Sequence, residues 1–199
     1  MLRYAMVLSA VATLSFIAPS AARAQTYDFG VESKFVNITF ESKADVEDIL
    51  GTSASISGTV RLDPKGSGSF RLVVPVASMK TGIDLRDEHL RSAYWLDAEK
   101  YPNIVFEGEK LRKLAEGKWE VAGKFSLHGV TKPLTVTVDT SVIPKERAAK
   151  ANMGEVEWLR VRGEFSVRLS DFGVKIPDGV VGKVNDSWTV RVSLFGKKQ

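Results

Sequence analysis

Apolar residues return at every second position in eight separate stretches of this chain, and none of these stretches is continuously apolar. The first carries Val36, Ile38 and Phe40, and the second Ile56, Gly58, Val60 and Leu62. Phe70, Leu72 and Val74 follow, then Ile104 and Phe106. The fifth runs Trp119, Val121, Gly123, Phe125, Leu127, and the sixth Leu134, Val136, Val138. The last two run from Leu159 to Leu169 and from Trp188 to Leu194. A period of two is that of a strand with one buried and one wet face. Strands sandwiched between helices in parallel sheets read as unbroken apolar runs, so this sheet is antiparallel. Short turn sequences such as 63–68, 116–118 and 128–133 join neighbours as hairpins. Gly58, Gly123 and Gly163 fall on the apolar face, where glycine marks sharp coiling or the close approach of another group. The pattern predicts an all-β fold, a closed eight-stranded antiparallel barrel large enough for one small ligand, with a two-sheet sandwich as the competitor.

One segment, residues 81–102, leaves the alternation. Asp84 is placed to cap a helix, with Asp87 in its first turn, and Pro102 ends any helix before the next strand. A short helical lid between the third and fourth strands is expected over one barrel mouth. Residues 144–157 form a more polar excursion, read as a long loop or ribbon.

The first 24 residues carry a basic Arg3, a polar-poor run of 13 residues from Ala5 to Ile17, a breaking Pro19, and Ala22-Arg23-Ala24 as a small-x-small cleavage site. A spanning helix needs about 20 apolar residues. The segment therefore reads as a signal peptide over 1–24, ahead of one barrel domain over 25–199, and predicts a periplasmic protein. Without the signal the net charge falls from +4 to +2, since it holds Arg3, Arg23 and no acid. No Lys/Arg run exceeds two residues, so nucleic acid is not an expected partner.

The chain has no Cys and only two His, His89 and His128. Thiolate nucleophiles, disulfides, iron–sulfur clusters and three-His metal sites are therefore excluded. No G-x-S-x-G, H-E-x-x-H, Walker or dinucleotide motif occurs, so neither a cofactor nor a metal is expected. Asp84, Asp87, Glu88 and His89 are the one acid–base grouping. They read either as a general-base site or as a capped, solvated helix face. Glu155 and Glu157, with Asp171 or Asp178, match no calcium-loop spacing. Periodicity alone leaves a filled core and a hollow one equally open.

Three blocks of wording carry a family likeness. Arg86-Asp87-Glu88-His89-Leu90-Arg91-Ser92, followed by Tyr94-Trp95-Leu96-Asp97, Tyr101-Pro102 and Phe106, resembles the R-[DN]-x-H-L-R-S signature of the YceI-like family. Residues 123–134 resemble its G-x-L-T-x-x-G-V-T-K-P-V hairpin, and Ser170-Asp171-Phe172-Gly173-Val174 its S-D-F-G-[IV] block. The likeness runs from about Tyr27 to Phe195. It departs at Glu32-Ser33, where members often show His-Ser. It also lacks a second His around Ser42 to Asp45, and has Leu169 in place of Arg. Residues 41–55 are longer than usual.

The resemblance implies an eight-stranded, lipocalin-like antiparallel barrel that holds a long isoprenoid of quinone or polyprenyl type, without catalysis, and tips the interior toward a cavity. The expected tail-gripping residues are Ile38, Phe40, Val60, Phe70, Leu72, Phe106, Phe125, Leu127 and Phe165. Leu85, Leu90, Tyr94 and Trp95 are expected to flank the mouth. Arg86, Asp87, His89 and Arg91 are candidates for a head group or for pinning the lid. The opposite sheet face would be the inner one only with Glu107, Lys124, Glu164 and Arg168 inside, which is costly. Expected partners are a long-chain isoprenoid or other lipid, with transient contact with a membrane surface, in a monomer or homodimer. The alternatives are a hydrolase of hydrophobic amides or esters using the same cavity, and a non-binding stress or interaction barrel.

Overall fold

The computed structural model describes residues 23–30, 35–63 and 67–199. The signal segment up to residue 22 and the Glu32-Ser33 pair lie outside the described residues. Among the described residues ten strands form one antiparallel sheet: β1 (Gln25–Phe29), β2 (Asn37–Lys43), β3 (Asp48–Ser53), β4 (Ser57–Leu62), β5 (Gly68–Pro75), β6 (Asn103–Ala115), β7 (Lys118–Leu127), β8 (Val130–Ile143), β9 (Trp158–Arg168) and β10 (Ser187–Lys198). Helix α1 (Asp84–Arg91) follows β5, and α2 (Lys145–Lys150) follows β8.

The ring β1-β4-β5-β6-β7-β8-β9-β10 closes through the β1–β10 pairing. The long β10 serves two partners on one edge, with Gly196 opposite Phe29 of β1 and Val192 opposite Ile38 of β2. Strands β1 and β2 are thus two halves of one stave. Strands β3 and β4 are the halves of the next, since β3 pairs β2 and β4 pairs β1. The barrel has eight staves, as the alternation predicts, and every expected strand is present.

The unexpected pieces are β1 and β3. The apolar phase of β3 is Ile49, Gly51, Ser53, too weak to register as alternation. The cause is packing: Phe40 stands directly across from Gly51, and a Cβ on Gly51 would lie 2.0 Å from its ring. At Gly58 the backbone has φ +128°, and a Cβ would fall 1.9 Å from the Arg71 carbonyl oxygen, so only glycine lets β4 coil this tightly against β5.

Charges take the outer face. Arg71 pairs with Glu107 at 3.0 Å, Arg191 with Glu164 at 2.6 Å, and Arg168 with Asp186 at 3.8 Å, while Lys124 is exposed. The competing face assignment is thereby removed.

The two ends differ. The lid end carries α1, the β7–β8 turn and residues 169–186. Beneath α1 lies an upper core that includes Val76, Leu96, Leu169, Phe172 and Trp188. Asp84 is not the cap of α1, because Ile83 occupies the cap position and supplies no side-chain bond. The acid that fixes the helix is Asp87. At the other end, residues 144–157 are not a loop or ribbon throughout, since α2 forms there. Ala148, Met153 and Trp158 make a small separate core with Phe35, Ile143, Val156 and Phe195. Trp158 is out of phase with the inward Leu159, so this core sits on the outer wall and leaves the lumen uncovered.

Candidate ligand cavity

Inside the staves is a cavity of about 190 Å³. Its wall includes Ile38, Phe40, Val60, Phe70, Leu72, Phe106, Phe125 and Phe165. Alternation along recognised strands places these side chains on one face, and closure of the ring turns that face inward. Aromatic rings grip one another in the wall. Phe70 and Phe106 are 4.8 Å apart, and Phe125 meets Phe106, Phe165 and Phe172 edge-on at 6.2, 5.9 and 5.6 Å. Ser53 and Thr140 supply the wall's only hydroxyls among the described residues, and no charged side chain lines it.

A second cavity of about 70 Å³ lies between the main one and the lid. Leu127, expected in the main lumen, belongs to this upper wall, together with Leu90 and Trp95. Leu85 and Tyr94 do not flank the interior. They are 61% and 84% exposed, because α1 turns Leu90 inward and leaves Leu85 on the opposite, wet side, and Tyr94 stands on the outer turn after it.

Arg86, Asp87, His89 and Arg91 line neither cavity. The Thr81 amide and hydroxyl donate to Asp87 Oδ1 at 2.6 and 2.7 Å, and Lys80 lies 3.8 Å from Oδ2. Arg86 donates from Nε to Thr81 Oγ1 at 3.0 Å and from Nη1 to Glu47 at 2.6 Å, which ties the lid to the β2–β3 turn. His89 is exposed, and its carbonyl accepts from the Ser92 hydroxyl at 2.7 Å. Arg91 Nη1 is buried with no hydrogen-bond partner among the described residues. The second histidine, His128, takes the hairpin turn at φ 49°. Its Nδ1 lies 3.1 Å from the Phe172 carbonyl oxygen, and its ring meets Tyr101 at 4.9 Å. Glu157 is held by Tyr27 and Lys198, each at 2.9 Å, rather than gathered with other acids. Among the described residues no group of three metal-ligating side chains forms.

Burial acts to raise the Asp87 pKa. The hydrogen bonds from Thr81 and the charges of Lys80 and Arg91 outweigh it, and the carboxyl ends below its ordinary value. A lowered native pKa stabilises above the unfolded value of about 3.9 and is lost as pH falls toward the native value. Amides of residues 81–91 are expected to lose hydrogen-exchange protection below about pH 4, ahead of the staves. Asp87→Ala should reproduce that loss at neutral pH and destabilise the lid by about 3 kcal/mol, because Thr81 loses both bonds. Unchanged protection in the variant would refute this role.

Sequence reasoning missed part of the wall. Trp119, Val136, Val161, Val190, Val192 and Leu194 line the main cavity, and all share the phase of strands already recognised, so phase was their signal. Met79 follows a 3-10 turn, and Leu111 follows an irregularity in the β6–β7 register, so neither had a periodic signal.

A closed eight-stave antiparallel barrel with a charge-free apolar lumen and a helix over one end is the architecture of barrels that hold one small apolar molecule. The chain belongs to the YceI-like family, whose YceI-like domain matches residues 27–195. A UPF0312 protein of Vibrio parahaemolyticus is 30% identical over 165 residues, covering 79% of this chain and 82% of that protein. A UPF0312 protein of Shewanella is 27% identical over 180 residues, covering 87% and 89%. Among solved structures, BcnA of Burkholderia cenocepacia superimposes with a TM-score of 0.70 at 21% identity, covering 83% of this chain and 98% of that one. A structure described as a polyisoprenoid binding domain from Saccharophagus degradans gives 0.63 at 16% identity, covering 89% and 100%. At these identities the structures establish the shared fold.

Proposed function

We propose that this protein is a carrier barrel for a long-chain isoprenoid or related lipid, of quinone or polyprenyl type, working in the periplasm. The observation that carries the reading is the lumen itself, an apolar wall without a charged group among the described residues. The similarity to a barrel described as polyisoprenoid-binding supports the cargo class. The export-type segment at residues 1–24 supports the compartment.

Burial of hydrocarbon is worth roughly 0.8 kcal/mol per methylene. A fully sheathed C40 chain would sum to about 30 kcal/mol, beyond the ceiling of roughly 18–21 for non-covalent binding. Ordering the chain offsets much of that gain. The competing solvent is also a bilayer rather than water, so exchange with membranes is the natural mode. For the hydrolase alternative the wall offers no imidazole or carboxylate among the described residues. The proposal is tested by loading the protein with a fluorescent polyene fatty acid and titrating with an isoprenoid quinone. Displacement at one equivalent is expected. A probe that quinone and polyprenol both leave in place would contradict the reading.

A further inference from the structure

We propose that Phe40, Met79 and Phe125 form a stop across the barrel that sets how long a chain it sheathes. The inference rests on the carrier reading and adds a length to it.

The main and upper cavities share five wall residues, Phe40, Met79, Phe125, Ile104 and Val190, which stand at the boundary between the two spaces; Ile104 and Val190 are half-buried, and the stop is assigned to the other three. All three are buried. Phe40 is stacked on Trp188 at 5.6 Å, and Phe125 is held edge-on by Phe165 and Phe172, so the partition is fixed from both sides. Beyond it the upper chamber ends under Leu90, Trp95 and Leu96 of the lid region. The opposite end is wetter. Val142, on the same face of β8 as Thr140 of the wall, is 50% exposed, whereas Leu96, Leu127, Leu169 and Trp188 of the upper wall are buried. An apolar chain therefore passes in at that end and runs toward the stop.

Its sheathed length follows from the strand. Trp119 marks the open rim and Phe125 the stop, both on β7. Six residues of strand cover roughly 20 Å, or about 15 Å along an axis from which the strands tilt 35–45°. An extended chain advances roughly 1.2 Å per bond, so an isoprene unit of four chain bonds spans about 5 Å. The lumen holds about three units on this scale. The upper chamber, whose wall includes Leu127 two residues further along β7, would add about one more.

The test is a binding series of all-trans isoprenyl alcohols of two, three, four and eight units on the full-length protein. Affinity should rise at least about tenfold from two units to three, then level off within about threefold. In Phe40→Ala the plateau should move to four units. Met79→Ala serves the same purpose if Phe40→Ala does not fold. Leu85→Ala, on the wet side of the lid helix and outside both cavities, should leave the plateau at three. Affinity that keeps climbing past three units, or a plateau unmoved in a folded partition variant, would overturn the stop and leave the carrier reading standing. Failure of every alcohol to bind would overturn the carrier reading and the stop together.

Discussion

Phe165→Arg is expected to give a barrel that folds and no longer retains an apolar cargo. Phe165 lies on β9, in register with Val190 of β10, and its ring faces the main cavity 5.9 Å from Phe125. Among the described residues no acid lines that cavity to pair with a guanidinium. The new charge must therefore draw water into the lumen or reach along its stem toward the open end. Either response replaces apolar wall by hydrated volume. The side chain is only partly buried, so the staves, held by their ladders, survive. Loss of binding by three orders of magnitude or more is expected, at roughly the several kcal/mol that desolvating an unpaired charge demands. Phe165→Leu should keep binding within about tenfold, since it stays apolar and changes only volume. The check is retained lipid per folded protein, with the thermal transition measured in parallel. A folded Phe165→Arg protein that still carries lipid would place the cargo elsewhere.

Trp158→Ala separates stability from cargo. Trp158 is 1% exposed on the outer wall, donates Nε1–H to the Met153 carbonyl at 3.1 Å, and meets Phe35 edge-on at 6.1 Å. It is the largest side chain of the core beneath α2. Its truncation should cost about 3–5 kcal/mol, a fall in Tm of roughly 10 °C for a chain of this size. Protection of residues 144–157 should collapse first. Lipid retained below the lowered Tm should be unchanged, because Trp158 faces away from the lumen. Loss of cargo equal to that in Phe165→Arg would show that the outer core and the lumen are one unit.

The sequence made the barrel legible because its signal is redundant. Each long strand repeats the same phase several times, and Glu107, Lys124, Glu164 and Arg168 mark the wet face independently. The lumen residues on those strands came with that phase. The features that stayed hidden lack repetition. The β3 strand shows Gly51 where an apolar side chain would reveal it, because the Phe40 ring fills that space from across the ladder. Trp158 sits in the polar phase, and what covers it is a six-residue helix whose inward residue is only Ala148, so neither half of that core announces the other. On the lid, Leu85 and Leu90 are equally apolar, yet helical rotation half-buries one and exposes the other. Asp87 reads as a first-turn charge on a wet helix. Its use as an anchor for Thr81 depends on a loop whose path only the fold determines.

The central claim is that the lumen carries an isoprenoid. Its most direct test is organic extraction and mass spectrometry of the protein purified from its own host. The account predicts one long-chain isoprenoid per barrel, absent from Phe165→Arg prepared in parallel. A protein recovered empty, and still empty after incubation with quinone and polyprenyl lipids, would contradict it.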